Sequence, residues 1–360
     1  MPSKKKENKE KADKETFKKA AANKKTGNEE IENEAKAARR RRAKLFPIVA
    51  IGASEGGLEA FSELLKALPG NTGMAYIYIQ HLDPKHKSML SEILSKSTAM
   101  IVGEAEDGTV VEPDHVYVIP PNTEMGIFHG SLILMPRSEP PRQHKPIDYF
   151  LRSLAEDGKN LAIGIILSGT ATDGSLGVKA IKEEGGIAIA QDYETAKYDG
   201  MPRSAVATGY IDLVLPPLKI AEELVNISKH PYLTMDQIKG EKSLAGEEEE
   251  TFRKIFAILR TSTGVDFTDY KQSTIKRRMA RRMVLHRIED PRGYLRYIQG
   301  DAGEVESLFR DLLITVTSFF RIPEQFDALK KTVFPEILAG KTRASSAPPP
   351  SGSSGMSRRS

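Results

Sequence analysis

The sequence contains no cysteine. Disulfides, iron–sulfur clusters and thiolate zinc sites are therefore excluded, and the absence fits a reducing compartment. Long apolar runs are missing too. The longest, such as Leu161–Leu167, have the length of a strand rather than of a membrane span. Residues 1–44 hold almost no apolar residue and lack the apolar core of a secretory signal. Together these gaps lead to the expectation of a cytoplasmic protein with no membrane insertion. The net charge of +4 is uneven: residues 1–44 carry sixteen Lys/Arg against eight Asp/Glu, so the rest of the chain is net acidic. A segment of that composition cannot bury enough surface to offset its ordering entropy, and 1–44 is read as a basic disordered tail.

From Phe46 the texture changes. Phe46–Ile51 is a short apolar run, Gly52–Gly57 a glycine-rich turn, and Leu58–Leu68 has helical spacing of apolar residues. Met74–Ile79 and Leu161–Leu167 read as buried strands, with helices near Ser88–Ser97 and Gly174–Glu184 and a further strand at Gly186–Ala190. His115–Ile119, Glu124–Phe128 and Leu132–Met135 read as short strands with a tight turn at Gly130. The fold class expected is α/β, a mostly parallel sheet flanked by helices with an antiparallel hairpin insertion, over residues 45–232. Residues 233–248 are a polar linker. A small all-α domain follows over 249–322. Its signals are the stripe of Phe252, Ile255, Phe256 and Leu259, the helix start at Asp290-Pro291, and the stripe of Val305, Leu308, Phe309, Leu312 and Leu313.

Three residues follow three of these strands: Ser54 after the first, His81 after the second, and Asp173 after Leu161–Leu167. In a parallel sheet the carboxyl ends of the strands share one edge, where ligands bind, so residues far apart in sequence can meet there. A hydroxyl nucleophile, an imidazole base and a carboxylate to orient it are what acyl transfer requires. Gly52-Ala53-Ser54-Glu55-Gly56 fits G-x-S-x-G, a sharp strand-to-helix turn that exposes the serine. The helix start after it directs main-chain N–H groups at the reacting centre, with the Glu55 N–H and the Gly169–Thr172 loop as oxyanion donors. Taken singly, each signal has a blander reading: a phosphate-cradling loop, a surface histidine, a helix N-cap. The order Ser, His, Asp also differs from that of the α/β-hydrolases.

At Ile51-Gly52-Ala53-Ser54-Glu55-Gly56-Gly57, Gln80-His81, Leu167-Ser168-Gly169-Thr170-Ala171-Thr172-Asp173-Gly174 and Gly200-Met201-Pro202-Arg203 the chain resembles the catalytic domain of the chemotaxis protein-glutamate methylesterases. The resemblance implies that Ser54, His81 and Asp173 form a catalytic triad. It implies hydrolysis of glutamate γ-methyl esters, and often glutamine deamidation, on the cytoplasmic helices of methyl-accepting chemoreceptors, with no metal or organic cofactor. Glu55 and Thr170 stand where the family usually has Thr and Met, at positions linked to its oxyanion hole. Met201 is expected to line the pocket within a Gly200–Pro202 turn.

Tyr270-Lys271, the basic run Thr274–Met283, and Ile314-Thr315-Val316-Thr317-Ser318-Phe319-Phe320-Arg321 resemble the N-terminal helical domain of chemoreceptor glutamate methyltransferases. That resemblance implies receptor docking through Arg277, Arg278, Arg281 and Arg282, and remnant S-adenosylmethionine contacts at Thr317 and Arg321 in an incomplete cofactor site. Residues 323–342 read as the start of a truncated methyltransferase domain. Residues 343–360, rich in Pro, Ser and Gly, read as a disordered end, truncated or frameshifted. Arginine clusters also suit phosphate, but the acidic folded part makes a nucleic-acid partner unexpected. The alternative to an esterase is a catalytically weak receptor-docking module of a truncated esterase–methyltransferase fusion.

Overall fold

Seven strands form one wholly parallel sheet, and its order explains where the site falls. They are β1 (Ile48–Ala53), β2 (Ala75–Gln80), β3 (Ile101–Glu104), β4 (His115–Val118), β7 (Ala162–Ile166), β8 (Ile187–Gln191) and β9 (Leu213–Leu215), in the order β3-β4-β2-β1-β7-β8-β9. β5 (Thr123–Phe128) and β6 (Ser131–Pro136) make a separate antiparallel hairpin. The computed structural model describes residues 46–81, 89–137, 145–231, 246–268 and 270–313. The described residues as far as Asp311 belong to one compact unit, and Leu312 and Leu313 end the last helix.

The six helices among these strands are α1 (Gly57–Ala67), α2 (Leu90–Ser95), α3 (Pro146–Gly158), α4 (Ser175–Glu183), α5 (Gly200–Ala207) and α6 (Pro217–Lys229). Strand side chains alternate between two layers. Val49, Ile51, Tyr76, Tyr78, Ile163 and Ile165 pack with Phe61 and Leu64 of α1 and with Leu224 of α6. Ile48, Ala50, Ile77 and Ile79 pack with Phe150 and Leu154 of α3 and with Ile181 of α4. Every residue of β1 is buried, as a central parallel strand covered on both faces must be. β1 lies between β2 and β7, so the earlier strands extend the sheet from it in one direction and the later strands in the other. That reversal opens a crevice at the carboxyl ends of β1, β2 and β7.

The expected α/β class and helical sequel are present. Two details differ. The segment at His115 is not part of the antiparallel insertion but lies between β3 and β2 in the parallel sheet. Short strands punctuated by turns read as a meander, and nothing local reveals that Val116 pairs with Tyr76. The Gly200–Pro202 turn is instead the first turn of α5.

Among the described residues, four further helices follow: α7 (Gly246–Thr263), α8 (Gln272–Leu285), α9 (Pro291–Gly300) and α10 (Ala302–Leu313). Asp290 caps α9 by accepting from the Gly293 N–H at 2.8 Å, with Pro291 at the first helical position, as the sequence signals. α8 buries two faces. Ile275, Met279 and Met283 form the expected apolar stripe, while Val284 joins the core of the α/β layer containing α1 and α6. The tail 1–44, the linker 233–245, Thr317, Arg321 and everything beyond 313 lie outside the described residues.

Candidate active site

β1 ends at Ala53 and the chain turns sharply into α1. Gly56 makes this turn with φ of 76°, the left-handed region that a residue with a Cβ resists. The loop after β7 is tied to this elbow. Ser54 N–H donates to Ser168 O at 2.9 Å, and Ser168 Oγ donates to Glu55 O at 2.8 Å. Ser168 Oγ also accepts from Tyr198 N–H at 3.0 Å, and Ser168 N–H donates to Gln191 Oε1 at 2.9 Å. Gly169 approaches so closely that a Cβ there would lie 2.9 Å from Ser54 Cβ and 2.1 Å from Met201 Sδ.

The structure brings the three candidate residues together. His81 Nδ1 is 3.3 Å from Ser54 Oγ, and His81 Nε2 is 3.0 Å from Asp173 Oδ2. With Nε2–H donated to the carboxylate, Nδ1 presents a lone pair to the serine. The ring is thus turned the other way from the more familiar triad, in which Nε2 serves the serine. The chemistry is equivalent, because either ring nitrogen accepts a proton when the other carries one. Ser54 is buried and Asp173 is 2% exposed, whereas His81 is part-exposed at the mouth. Gln80 steadies the elbow: its Nε2 donates to Ser54 O at 3.4 Å, and its Oε1 accepts from Tyr78 OH at 2.8 Å. Burial pushes the Tyr78 phenol well above its ordinary range, so it serves here as a donor.

Asp173 is held from a direction the sequence reading missed. Ile147 N–H donates to its Oδ2 at 3.0 Å, and Asp148 N–H and Gly174 N–H donate to its Oδ1 at 2.9 Å each. The first two belong to the first turn of α3, whose N–H groups have no partner within the helix. A helix N-terminus therefore receives the carboxylate, with the dipole favouring its charge. Pro146 followed by Ile147, Phe150, Leu151 and Leu154 was the available signal: proline at the first helical position, then i, i+3, i+4, i+7 spacing. Asp148 is itself buried, and its carboxyl is raised above the usual range by burial, with the nearby Asp173 adding to the effect.

Glu55 is the exposed neighbour of the nucleophile, and its carboxylate folds back over it. Its Oε2 accepts from Ser54 Oγ at 2.7 Å and from Thr170 Oγ1 at 2.9 Å. These hydroxyls, Ser54 foremost, hold the Glu55 carboxyl below the ordinary glutamate range. The main-chain N–H groups of Glu55 and Thr170 act in the same direction. Gly169 N–H is engaged with Tyr198 O at 2.9 Å. Met201 is fully buried with its sulfur against Gly169, so it shapes the loop from beneath instead of lining an open pocket.

The four arginines of α8 require a correction. Arg278 and Arg281 are 2% and 3% exposed. Arg278 donates to the Lys182 and Glu183 carbonyls at the end of α4. Arg281 pairs with Asp212 and Asp311 and reaches Gly186 O at 2.8 Å. Arg282 pairs with Glu304, and Arg277 is half-buried. A four-arginine docking face is thus not displayed; three of these side chains bind the chain to itself. Helical spacing alone cannot separate an exposed basic stripe from a buried one whose partners are scattered far along the chain, from Lys182 to Asp311. Among the described residues, no group of three or more His, Asp or Glu is arranged to hold a metal, and no helix is long and apolar enough to cross a membrane.

Comparison with known proteins identifies two domains along the chain. Residues 49–224 match the CheB methylesterase family, and residues 250–313 match the all-alpha domain of the CheR methyltransferases. A protein-glutamate methylesterase/protein-glutamine glutaminase of Desulfotalea psychrophila is 34% identical over 188 residues, covering 51% of this chain and 52% of that one. An uncharacterized 104.1 kDa protein in the hypE 3' region of Rhodobacter capsulatus is 36% identical over 268 residues, which are 69% of this chain and 28% of that one. The chain therefore spans about half the length of the first relative and less of the second. The crystal structure of the Thermotoga maritima CheB methylesterase catalytic domain is 34% identical, with 51% of this chain and 98% of that chain covered and a TM-score of 0.48. Residues 49–224 are thus a CheB methylesterase domain, and a CheR-type all-alpha domain follows at 250–313.

Proposed function

We propose that this chain is a protein-glutamate methylesterase that also deamidates glutamine, acting on the cytoplasmic helices of methyl-accepting chemoreceptors. The observation that carries this reading is His81, bridging Ser54 Oγ and Asp173 Oδ2. In the proposed reaction His81 Nδ1 takes the hydroxyl proton as Ser54 Oγ attacks the γ-carbonyl of a methylated glutamate. Main-chain N–H groups of Glu55 and Thr170 hold the oxyanion. The proton passes from His81 to the departing methoxide, which leaves as methanol. Water, deprotonated by the same nitrogen, then attacks the acyl-enzyme and releases the glutamate carboxylate. Asp173 keeps the proton on Nε2 throughout. These side chains and water supply every step, so no metal or organic cofactor enters it.

The test is methanol release from a methylated receptor fragment by the purified chain. Release is expected from the wild type and is expected to fall by about 10³-fold or more in Ser54→Ala. Equal release by Ser54→Ala would sink the assignment.

A second reading is a receptor-docking module with a slowed site. One observation favours it: Ser54 Oγ lies nearer to Glu55 than to His81. Receptor binding without any methanol release, in both the wild type and a Glu55→Ala variant, would support it.

A further inference from the structure

The Glu55 side chain lies where the esterase reading needs open space. Ser54 carries one hydroxyl proton, which can be donated to one acceptor at a time. It is 2.7 Å from Glu55 Oε2 and 3.3 Å from His81 Nδ1, so the proton is turned away from the base. Thr170 Oγ1 donates to the same Glu55 oxygen at 2.9 Å. The main-chain N–H groups of Glu55 and Thr170, the donors expected to hold an oxyanion, act on this carboxylate too. Two hydroxyl donors beside the nucleophile therefore converge on one internal γ-carboxylate. The product of the proposed reaction is also a glutamate γ-carboxylate.

We propose that Glu55 is a built-in product mimic: its γ-carboxylate occupies the acyl site and holds the serine in an unreactive state until substrate displaces it. This rests on the esterase reading for its biological meaning, but its chemistry concerns Ser54 alone. Glu55 is exposed and joined to the site by a rotatable side chain, so displacement requires no backbone movement. Its carboxyl is held below the ordinary range by Ser54 first and then by the other donors, so it is ionised throughout the pH range in which a neutral imidazole can act as base. The resting state is thus closed at every working pH. Opening depends on a competing ligand that offers the donors a carbonyl oxygen.

The experiment is the rate of covalent labelling of Ser54 by a small fluorophosphonate in the full chain. Here the serine oxygen displaces fluoride at phosphorus and the proton leaves through His81. Wild type, Glu55→Ala, Glu55→Gln and Ser54→Ala are compared, each with and without acetate. Glu55→Ala is expected to label about ten- to a hundredfold faster than wild type, the range set by losing a charge-assisted hydrogen bond. Glu55→Gln, which keeps the shape without the charge, is expected in between. Acetate should slow Glu55→Ala by refilling the vacated site and leave wild type unchanged; a merely structural role for Glu55 gives no such sensitivity. Equal or slower labelling of Glu55→Ala, no labelling of any variant, or acetate acting equally on both proteins would overturn the proposal. Methanol release separates the two readings. Faster labelling without methanol release leaves the product mimic standing and removes the esterase, and equal methanol release by wild type and Glu55→Ala does the reverse.

Discussion

Arg281 donates to the carboxylate of Asp212, 69 residues earlier, at a point where both side chains are about 1% exposed. The pair joins the CheR-type helices to the α/β domain. Asp311 and Lys182 complete the cluster, with Lys182 Nζ 3.1 Å from Asp212 Oδ1. Burial alone would raise the Asp212 carboxyl, but Arg281 and then Lys182 outweigh it and hold the group below its ordinary range. Burial likewise disfavours the charge on Arg281, and Asp212 and Asp311 reverse that effect.

The first prediction concerns this clamp. Removing one partner leaves the others charged and buried, which typically destabilises by about 3–5 kcal/mol. Arg281→Ala and Asp212→Asn should each lower the free energy of unfolding by an amount in that range, measured by urea titration with circular dichroism. Arg281→Met combined with Asp212→Leu should recover much of the loss, because an apolar replacement leaves no stranded charge between these two. Single variants within 0.5 kcal/mol of wild type, the ordinary range for surface changes, would mean that the cluster is not closed as described.

Gly169 and Met201 make the second prediction, at the loop that meets the nucleophile. A methyl group at position 169 would overlap Met201 Sδ, at 2.1 Å, and crowd Ser54 Cβ, at 2.9 Å. Gly169→Ala is expected to destabilise by about 1–3 kcal/mol through overpacking and to lower the rate of Ser54 labelling. Met201→Ala should cost about 2–5 kcal/mol by leaving a cavity. In the double variant the new methyl fills part of that cavity, so the two losses should be less than additive, by more than the 0.5 kcal/mol expected of independent sites. Strict additivity in thermal unfolding would show that the two residues do not compete for the same space.

How much of this was legible beforehand depends on whether a signal was local. Ser54, His81 and Asp173 could be named because each follows an apolar run and because a parallel sheet gathers strand ends at one edge. The grip on Asp173 is not local, since it needs α3, whose helical spacing after Pro146 says nothing of the carboxylate its first turn receives. β4 was detected but misplaced, because pairing partners in a parallel sheet are set by the whole topology. The α8 arginines failed for the converse reason. Their charge pattern suggested a solvated face, and only the carbonyls of Lys182, Glu183 and Gly186 and the carboxylates of Asp212 and Asp311 reveal a buried one. The fold-back of Glu55 onto its neighbour is a rotamer choice that no sequence pattern encodes.

Glu304 supplies the last prediction, on acid stability. It is buried, and its Oε1 accepts from Arg282 Nε at 2.8 Å and from Tyr294 OH at 2.6 Å, while Oε2 lies 2.7 Å from His286 Nε2. Burial pushes its carboxyl up, but the hydrogen bonds from Arg282, His286 and Tyr294 outweigh burial and bring it down to about 2. A carboxyl held below its unfolded value contributes stability that is fully present above the unfolded value, ordinarily near 4.5. That contribution is lost as pH falls through about 2. Protonated Glu304 would take from the part-buried Arg282 its hydrogen-bonded counter-charge, so α8, α9 and α10 should loosen together. Wild type is expected to lose stability between pH 4.5 and 2 more steeply than Glu304→Gln, which should be less stable at pH 7 and nearer to wild type at pH 2. Urea unfolding at pH 7, 4 and 2 measures this. A gap between the two proteins that stays constant across the three values would show that Glu304 titrates as an ordinary carboxyl and that its partners do not hold its charge.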